Sequence, residues 1–102
     1  MKKILTLIVF SSLLLGCTTT LTNEGESIKV IDAKMAEECK FVHFVTGSNS
    51  NGINAKAEID NSITKVRNKA SELSANAVQI MTTDWDYWGG GVVTANAYKC
   101  SN

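Results

Sequence analysis

The residues of this chain whose types lend themselves to chemistry are three cysteines, one histidine and a few carboxylates. Cys39 and Cys100 allow three arrangements: a redox couple, a metal site completed by His43, or a structural bridge. A redox couple is tuned by the close spacing of a Cys-x-x-Cys, which these two residues lack. A zinc site from Cys39, Cys100 and His43 is one ligand short of the usual four, so no metal is expected. A bridge would close the 62 residues 39–100, and the chain-entropy account gives such a loop about 4 kcal/mol. The structural bridge is therefore the expected arrangement, and the redox couple the alternative. His43 lies in an apolar run without a serine, cysteine or carboxylate at a diagnostic spacing, so a packed or edge histidine is expected rather than a catalytic base. Asp84 and Asp86 offer too few oxygens for calcium and read as solvated loop acids. Gly89 to Gly91 lack the lysine and following helix of a phosphate cradle. With no acid, base and nucleophile set, the residues point away from an enzyme, and no cofactor is implied.

The third cysteine has a different setting. Lys2 and Lys3 precede an apolar run, Ile4 to Leu15, that ends in Gly16-Cys17; this is the pattern of a secretory signal peptide, and the run is too short to span a bilayer as a helix. Leu14-Leu15-Gly16-Cys17 resembles the lipobox of bacterial lipoproteins. That resemblance implies a diacylglycerol on the Cys17 thiol, cleavage before it, and acylation of the new amino group, the alternative being an ordinary signal peptide whose first mature residue is a cysteine. Three acyl chains would hold to a membrane permanently. Thr18 follows, where an aspartate in Gram-negative lipoproteins commonly signals retention at the inner membrane; the implied location is the periplasmic face of the outer membrane. An oxidising periplasm also favours the Cys39–Cys100 bridge.

Removing residues 1–16 leaves 86, enough for one small domain and a tether. The precursor is formally neutral, and without Lys2 and Lys3 it carries 8 basic and 10 acidic residues. A net charge of −2 argues against nucleic acid as a partner. Residues 17–27 are polar and read as the lipidated cysteine and a flexible tether, with ten residues reaching at most about 33 Å; residues 28–102 form the domain.

The elements that must position these groups follow from periodicity. Ile28 to Ile31 reads as a first strand, Ala33 to Lys40 as a helical turn, and Phe41 to Thr46 as a strand with apolar residues on both faces, hence central and covered. Gly47 to Gly52 reads as a loop. Asn54 can cap a helix whose apolar stripe is Ile59, Ile63, Val66, Ala70 and Leu73, with Lys56, Glu58, Asp60, Lys65, Arg67, Lys69 and Glu72 on a solvated face. Ala77 to Thr83 and Val92 to Lys99 read as strands, joined in a hairpin through Asp84 to Gly91. Both tryptophans and one of the two tyrosines fall in that connection. Trp85, Tyr87 and Trp88 either fold back to fill a small core or stand exposed as a surface for a protein, a glycan strand or lipid headgroups.

Cys39 just before a strand, the run Arg67-Asn68-Lys69-Ala70 through Leu73-Ser74-Ala75-Asn76-Ala77-Val78, and the terminal Ala97-Tyr98-Lys99-Cys100 are similar to small, uncharacterised Gram-negative lipoproteins related to the outer-membrane stress sensor of the Rcs phosphorelay. The resemblance covers residues 28–102. It implies an α+β domain, one amphipathic helix packed on a small, mostly antiparallel sheet and stapled by a Cys39–Cys100 disulfide, with no assigned activity. Two departures stand out. Ser74 replaces a glycine usual at the helix end, so Asn76 is expected to take the left-handed conformation instead. The sensor's four domain cysteines and long proline-rich tether are also missing. The expected function is therefore a non-enzymatic periplasmic binding or scaffolding module, anchored in the membrane and meeting an envelope protein or peptidoglycan through Trp85, Tyr87 and Trp88. The alternative is an envelope-stress or redox sensor.

Overall fold

The computed structural model describes residues 20–50 and 54–101; the expected signal peptide and Cys17 lie outside the described residues. The elements run α1 (Asn23–Glu26), β1 (Lys29–Val30), α2 (Ala33–Ala36), β2 (Lys40–Asn49), α3 (Ala55–Glu72), β3 (Ala77–Asp86) and β4 (Gly90–Lys99). The strands form one sheet in the order β1-β3-β4-β2. β1 runs parallel to β3, and the other two pairings are antiparallel. This is the α+β architecture expected, with α3 on one face of the sheet.

Asn54 starts α3 by accepting a hydrogen bond from the Ala57 amide at 2.9 Å, satisfying one of the donors that every helix start leaves open. Val66 and Ala70 are fully buried against Val45, Val78, Val93, Ala95 and Ala97, with Ile59 and Ile63 packed at the margin. The helix lies unusually close to the strands because small residues stand beneath it. A Cβ at Gly47 would overlap the Ser62 carbonyl, and one at Gly91 would fall 2.9 Å from the Glu58 carbonyl carbon and 3.0 Å from the Ile59 nitrogen. Into this seam the Ser62 hydroxyl directs its one proton, 2.8 Å from the Glu58 carbonyl and 3.0 Å from that of Gly91. The buried line of α3 is therefore Glu58, Ser62, Val66 and Ala70: it keeps Val66 and Ala70 of the expected stripe, while Ile59 and Ile63 are half-buried and Leu73 is exposed. Glu58, expected on the solvated face, is only 7% exposed.

Other expectations need correction. β2 is an edge strand rather than a central one. Its apolar residues on two faces have separate causes: Val42 and Val45 belong to the core under α3, Phe41 meets Tyr98 edge-to-face at 6.0 Å, and Phe44 stands 50% exposed. A bulge between Phe41 and His43 shifts the register. The strand also continues through Gly47, Ser48 and Asn49, which pair with Val93, Val92 and Gly91, where a loop was expected. The expected tether is folded from Thr20 onward. Asn68 on α3 donates to the Thr20 carbonyl at 3.0 Å and accepts from the Thr22 amide at 3.0 Å, while Arg67 donates to the Glu26 carbonyl at 3.0 Å. Ser74 itself adopts the left-handed conformation, with φ of 65°. Asn76 is excluded from that role because its backbone joins two strands, donating to the Tyr98 carbonyl and accepting from the Lys29 amide.

The close seam generates a graded prediction. Gly47→Ala lowers unfolding stability by about 2 kcal/mol, and Gly91→Ala by at least about 1 kcal/mol, because helix backbone must move in both. Gly89→Ala, whose Cβ would meet nothing nearer than 3.8 Å, changes it by less than about 0.5 kcal/mol. Urea midpoints of the three variants check the order.

Candidate functional site

β3 and β4 extend as a hairpin past the cover of α3, and every residue from Met81 to Gly89 is exposed. Asp86 pairs with Gly90, so the turn itself has three residues, Tyr87 to Gly89. The Asp86 carboxylate accepts the Trp88 amide at 3.0 Å, a local bond of the kind that lets aspartate hold a turn. Gly90 has φ of 80°, the left-handed residue that closes a three-residue hairpin connection. The aromatic segment is therefore largely strand and turn, and the sheet carries its side chains outward.

Trp85, Tyr87 and Trp88 form a chain of edge-to-face contacts. Ring centroids lie 6.4 Å apart for Trp85–Tyr87 and 5.3 Å for Tyr87–Trp88. Their exposures are 45%, 77% and 89%, so they do not fold back as core. Asp84 and Asp86 are two residues apart in one strand and share its other face. No lysine or arginine occurs in β3 or in β4 before Lys99. Among the described residues the ion pair lies elsewhere, Lys56 with Asp60 at 2.7 Å; the hydrogen bond that Lys56 donates to the Asp60 carboxylate, then the charge of that carboxylate, raises the Lys56 pKa.

The opposite end of the sheet holds the thiols. Cys39 and Cys100 form a disulfide, and both line a cavity of about 390 Å³ together with Lys29, Ile31, Met35 and Glu38. Asn76 clamps this end: its side-chain amide donates to the Cys100 carbonyl and its oxygen accepts from the Cys100 amide, both at 2.7 Å. With its own amide bound to Tyr98 and its carbonyl to Lys29, one residue ties β1, β4 and the bridge together. Among the described residues no three His, Cys, Asp or Glu side chains converge to hold a metal ion. His43 is exposed on β2, its Nδ1 2.5 Å from the Phe44 carbonyl. Sequence reasoning gives Asn68 no role and Asn76 a different one, the left-handed residue; both lie in the run from Arg67 to Val78, whose distinctiveness is the signal that could find them.

Residues 19–100 match a protein family described as a domain of unknown function, DUF4156. The chain belongs to this family. Neither a curated protein nor a solved structure matches it. The matched region of this DUF4156 domain starts beside Thr20, the first residue that Asn68 holds, and ends at the bridged Cys100, so both the docked N-terminal segment and the disulfide fall inside it. Among the described residues no helix is long and apolar enough to cross a membrane.

Replacing Cys39 and Cys100 together by serine lowers stability by about 4 kcal/mol through the released 39–100 loop. Asn76→Ala costs about 2 kcal/mol, since it leaves the amide and carbonyl of Cys100 without these partners. Urea unfolding of the oxidised protein against each variant measures both.

Proposed function

We propose that this DUF4156 domain is a non-enzymatic binding or scaffolding module, lipid-anchored through Cys17 at the periplasmic face of the outer membrane, and that the aromatic tip is its partner surface. The observation that carries the reading is the exposure of Tyr87 and Trp88 on a turn whose Trp88 amide is held by the Asp86 carboxylate. Large aromatic side chains gain most from burial, and three of them standing together in water mark a surface that is covered in use. An envelope protein or a peptidoglycan strand offers the matching chemistry, apolar edges in the first case and sugar faces in the second.

The anchor rests on the lipobox-like run at Leu14 to Cys17. Three residue steps separate Cys17 from Thr20, which Asn68 holds, a reach of at most about 10 Å. A lipidated domain of this kind stays against its membrane. Its place beside the small lipoproteins related to the Rcs stress sensor is part of the same proposal. A redox-sensing role is the second reading, favoured by the cavity at the disulfide; a bridge that survives mild reductant rejects it.

Two measurements test the main reading. Mass spectrometry of the chain isolated from its host membranes is expected to find Cys17 acylated at its thiol and amino group, and Cys17→Ser is expected to abolish membrane association. Replacing Trp85, Tyr87 and Trp88 by alanine is expected to remove crosslinking to envelope components in cells while leaving the unfolding free energy, measured in urea, within about 0.5 kcal/mol. Unchanged crosslinking in a folded triple variant rejects the tip as the partner surface.

A further inference from the structure

A sheet with two outer strands has two edges where another strand can add, and this protein treats them differently. On β2, lysines from α3 reach over the edge: Lys65 Nζ donates to the Ser48 carbonyl at 2.7 Å and Lys69 Nζ to the Thr46 carbonyl at 2.6 Å. Charged side chains that occupy edge carbonyls, together with the bulge at Phe41–His43, are the usual means of stopping strand addition. β3 has a bulge of its own at Met81, but among the described residues no lysine or arginine donates to one of its carbonyls. β1 pairs with it only at Ala77 and Val78, and from Gln79 to Asp86 its outer side has no strand partner among the described residues.

We infer that an extended, basic polypeptide segment adds as a further strand along the free edge of β3 at residues 79–86. This rests on the proposed role of the aromatic tip and names the partner class for that surface. The charge argument fixes the occupant. Asp84 and Asp86 lie on one face of the edge, Trp85 on the other, and β3 carries no cation. Side chains directly opposite one another in paired strands approach to about 5 Å. Lysines or arginines at alternate positions of the added strand therefore meet Asp84 and Asp86, while the residues between them lie against Thr83 and Trp85. Main-chain hydrogen bonds supply the affinity in strand addition, and side chains at alternate positions the specificity. A second copy of this chain is the poorer occupant, because its own β3 brings two more carboxylates and no cation.

The full chain, purified in detergent, is panned against a displayed library of random ten-residue peptides, and enriched peptides are synthesised for hydrogen exchange and binding. Enriched sequences are expected to carry lysine or arginine at alternate positions and to lack proline. Their binding is expected to slow exchange in fragments covering residues 79–86, to weaken at least tenfold in Asp84→Asn/Asp86→Asn, and to weaken as salt is raised. Enrichment of acidic or uncharged peptides, or binding without protection of 79–86, overturns the inference. So does protection of those amides on concentrating the chain alone, which assigns the edge to a second copy. Crosslinking from the tip in cells that persists when 79–86 stays unprotected removes strand addition and leaves the tip reading standing. Protection of the edge with crosslinking intact in the triple alanine variant does the reverse.

Discussion

Everything in this fold is set by how closely α3 lies against the sheet. A helix of 18 residues is about 27 Å long, and a strand of ten about 33 Å, so one helix cannot cover the whole of a four-stranded sheet. The sequence compensates by lowering the helix onto Gly47, Gly91, Ala95 and Ala97, where backbone meets backbone and the small side chains leave no gap. Buried residues under α3 are accordingly small, with Val66, Val78 and Val93 the largest that are fully enclosed together with Ser62. A core built from valine and alanine gains less from burial than one built from leucine and phenylalanine. The close approach recovers part of that deficit through dispersion contacts, and the disulfide supplies the rest by restricting the unfolded chain.

The same constraint divides the molecule into two ends. Where α3 finishes, chain segments from the whole sequence are gathered: Asn76 holds Cys100, Asn68 holds Thr20 and Thr22, and the bridge joins the start of β2 to the end of β4. Both asparagines act through paired donor and acceptor contacts, which the planar amide makes without a change of charge. Where α3 begins, Gly90 and Gly91 lie against Glu58, and the hairpin continues without cover.

Much of this was legible in the sequence, and the failures share one origin. The α3 helix was readable because its cap and its apolar residues agree on one phase, and the β3–β4 hairpin because glycines and aspartates interrupt two β-prone runs. The bridge followed from the choice of thiols. Hydrophobicity at Phe41 and Phe44 did not distinguish a covered strand from an edge, since a side chain's type does not say whether another layer exists above it. Glu58 was misassigned for the converse reason: its burial comes from Gly90 and Gly91 passing underneath, a contact between distant segments that helical periodicity cannot contain. The aromatic tip was the hardest to place, because tryptophan fills cores and interfaces equally well.

The two edges of the sheet bring these points together. Lys65 and Lys69 project from α3 over β2 only because the helix is low enough for their ammonium groups to reach strand carbonyls. On the far side no α3 side chain among the described residues bonds a β3 carbonyl, and β1 is too short to shield β3 beyond Val78. An exposed strand edge favours aggregation unless it is charged, bent or occupied. β3 is bulged at Met81, between Ile80 and Thr82, and carries Asp84 and Asp86, which repel a like-charged edge while leaving a basic one free to approach. The uncovered end of the sheet, residues 81–89, thus lies opposite the end that the disulfide and Asn76 tie together.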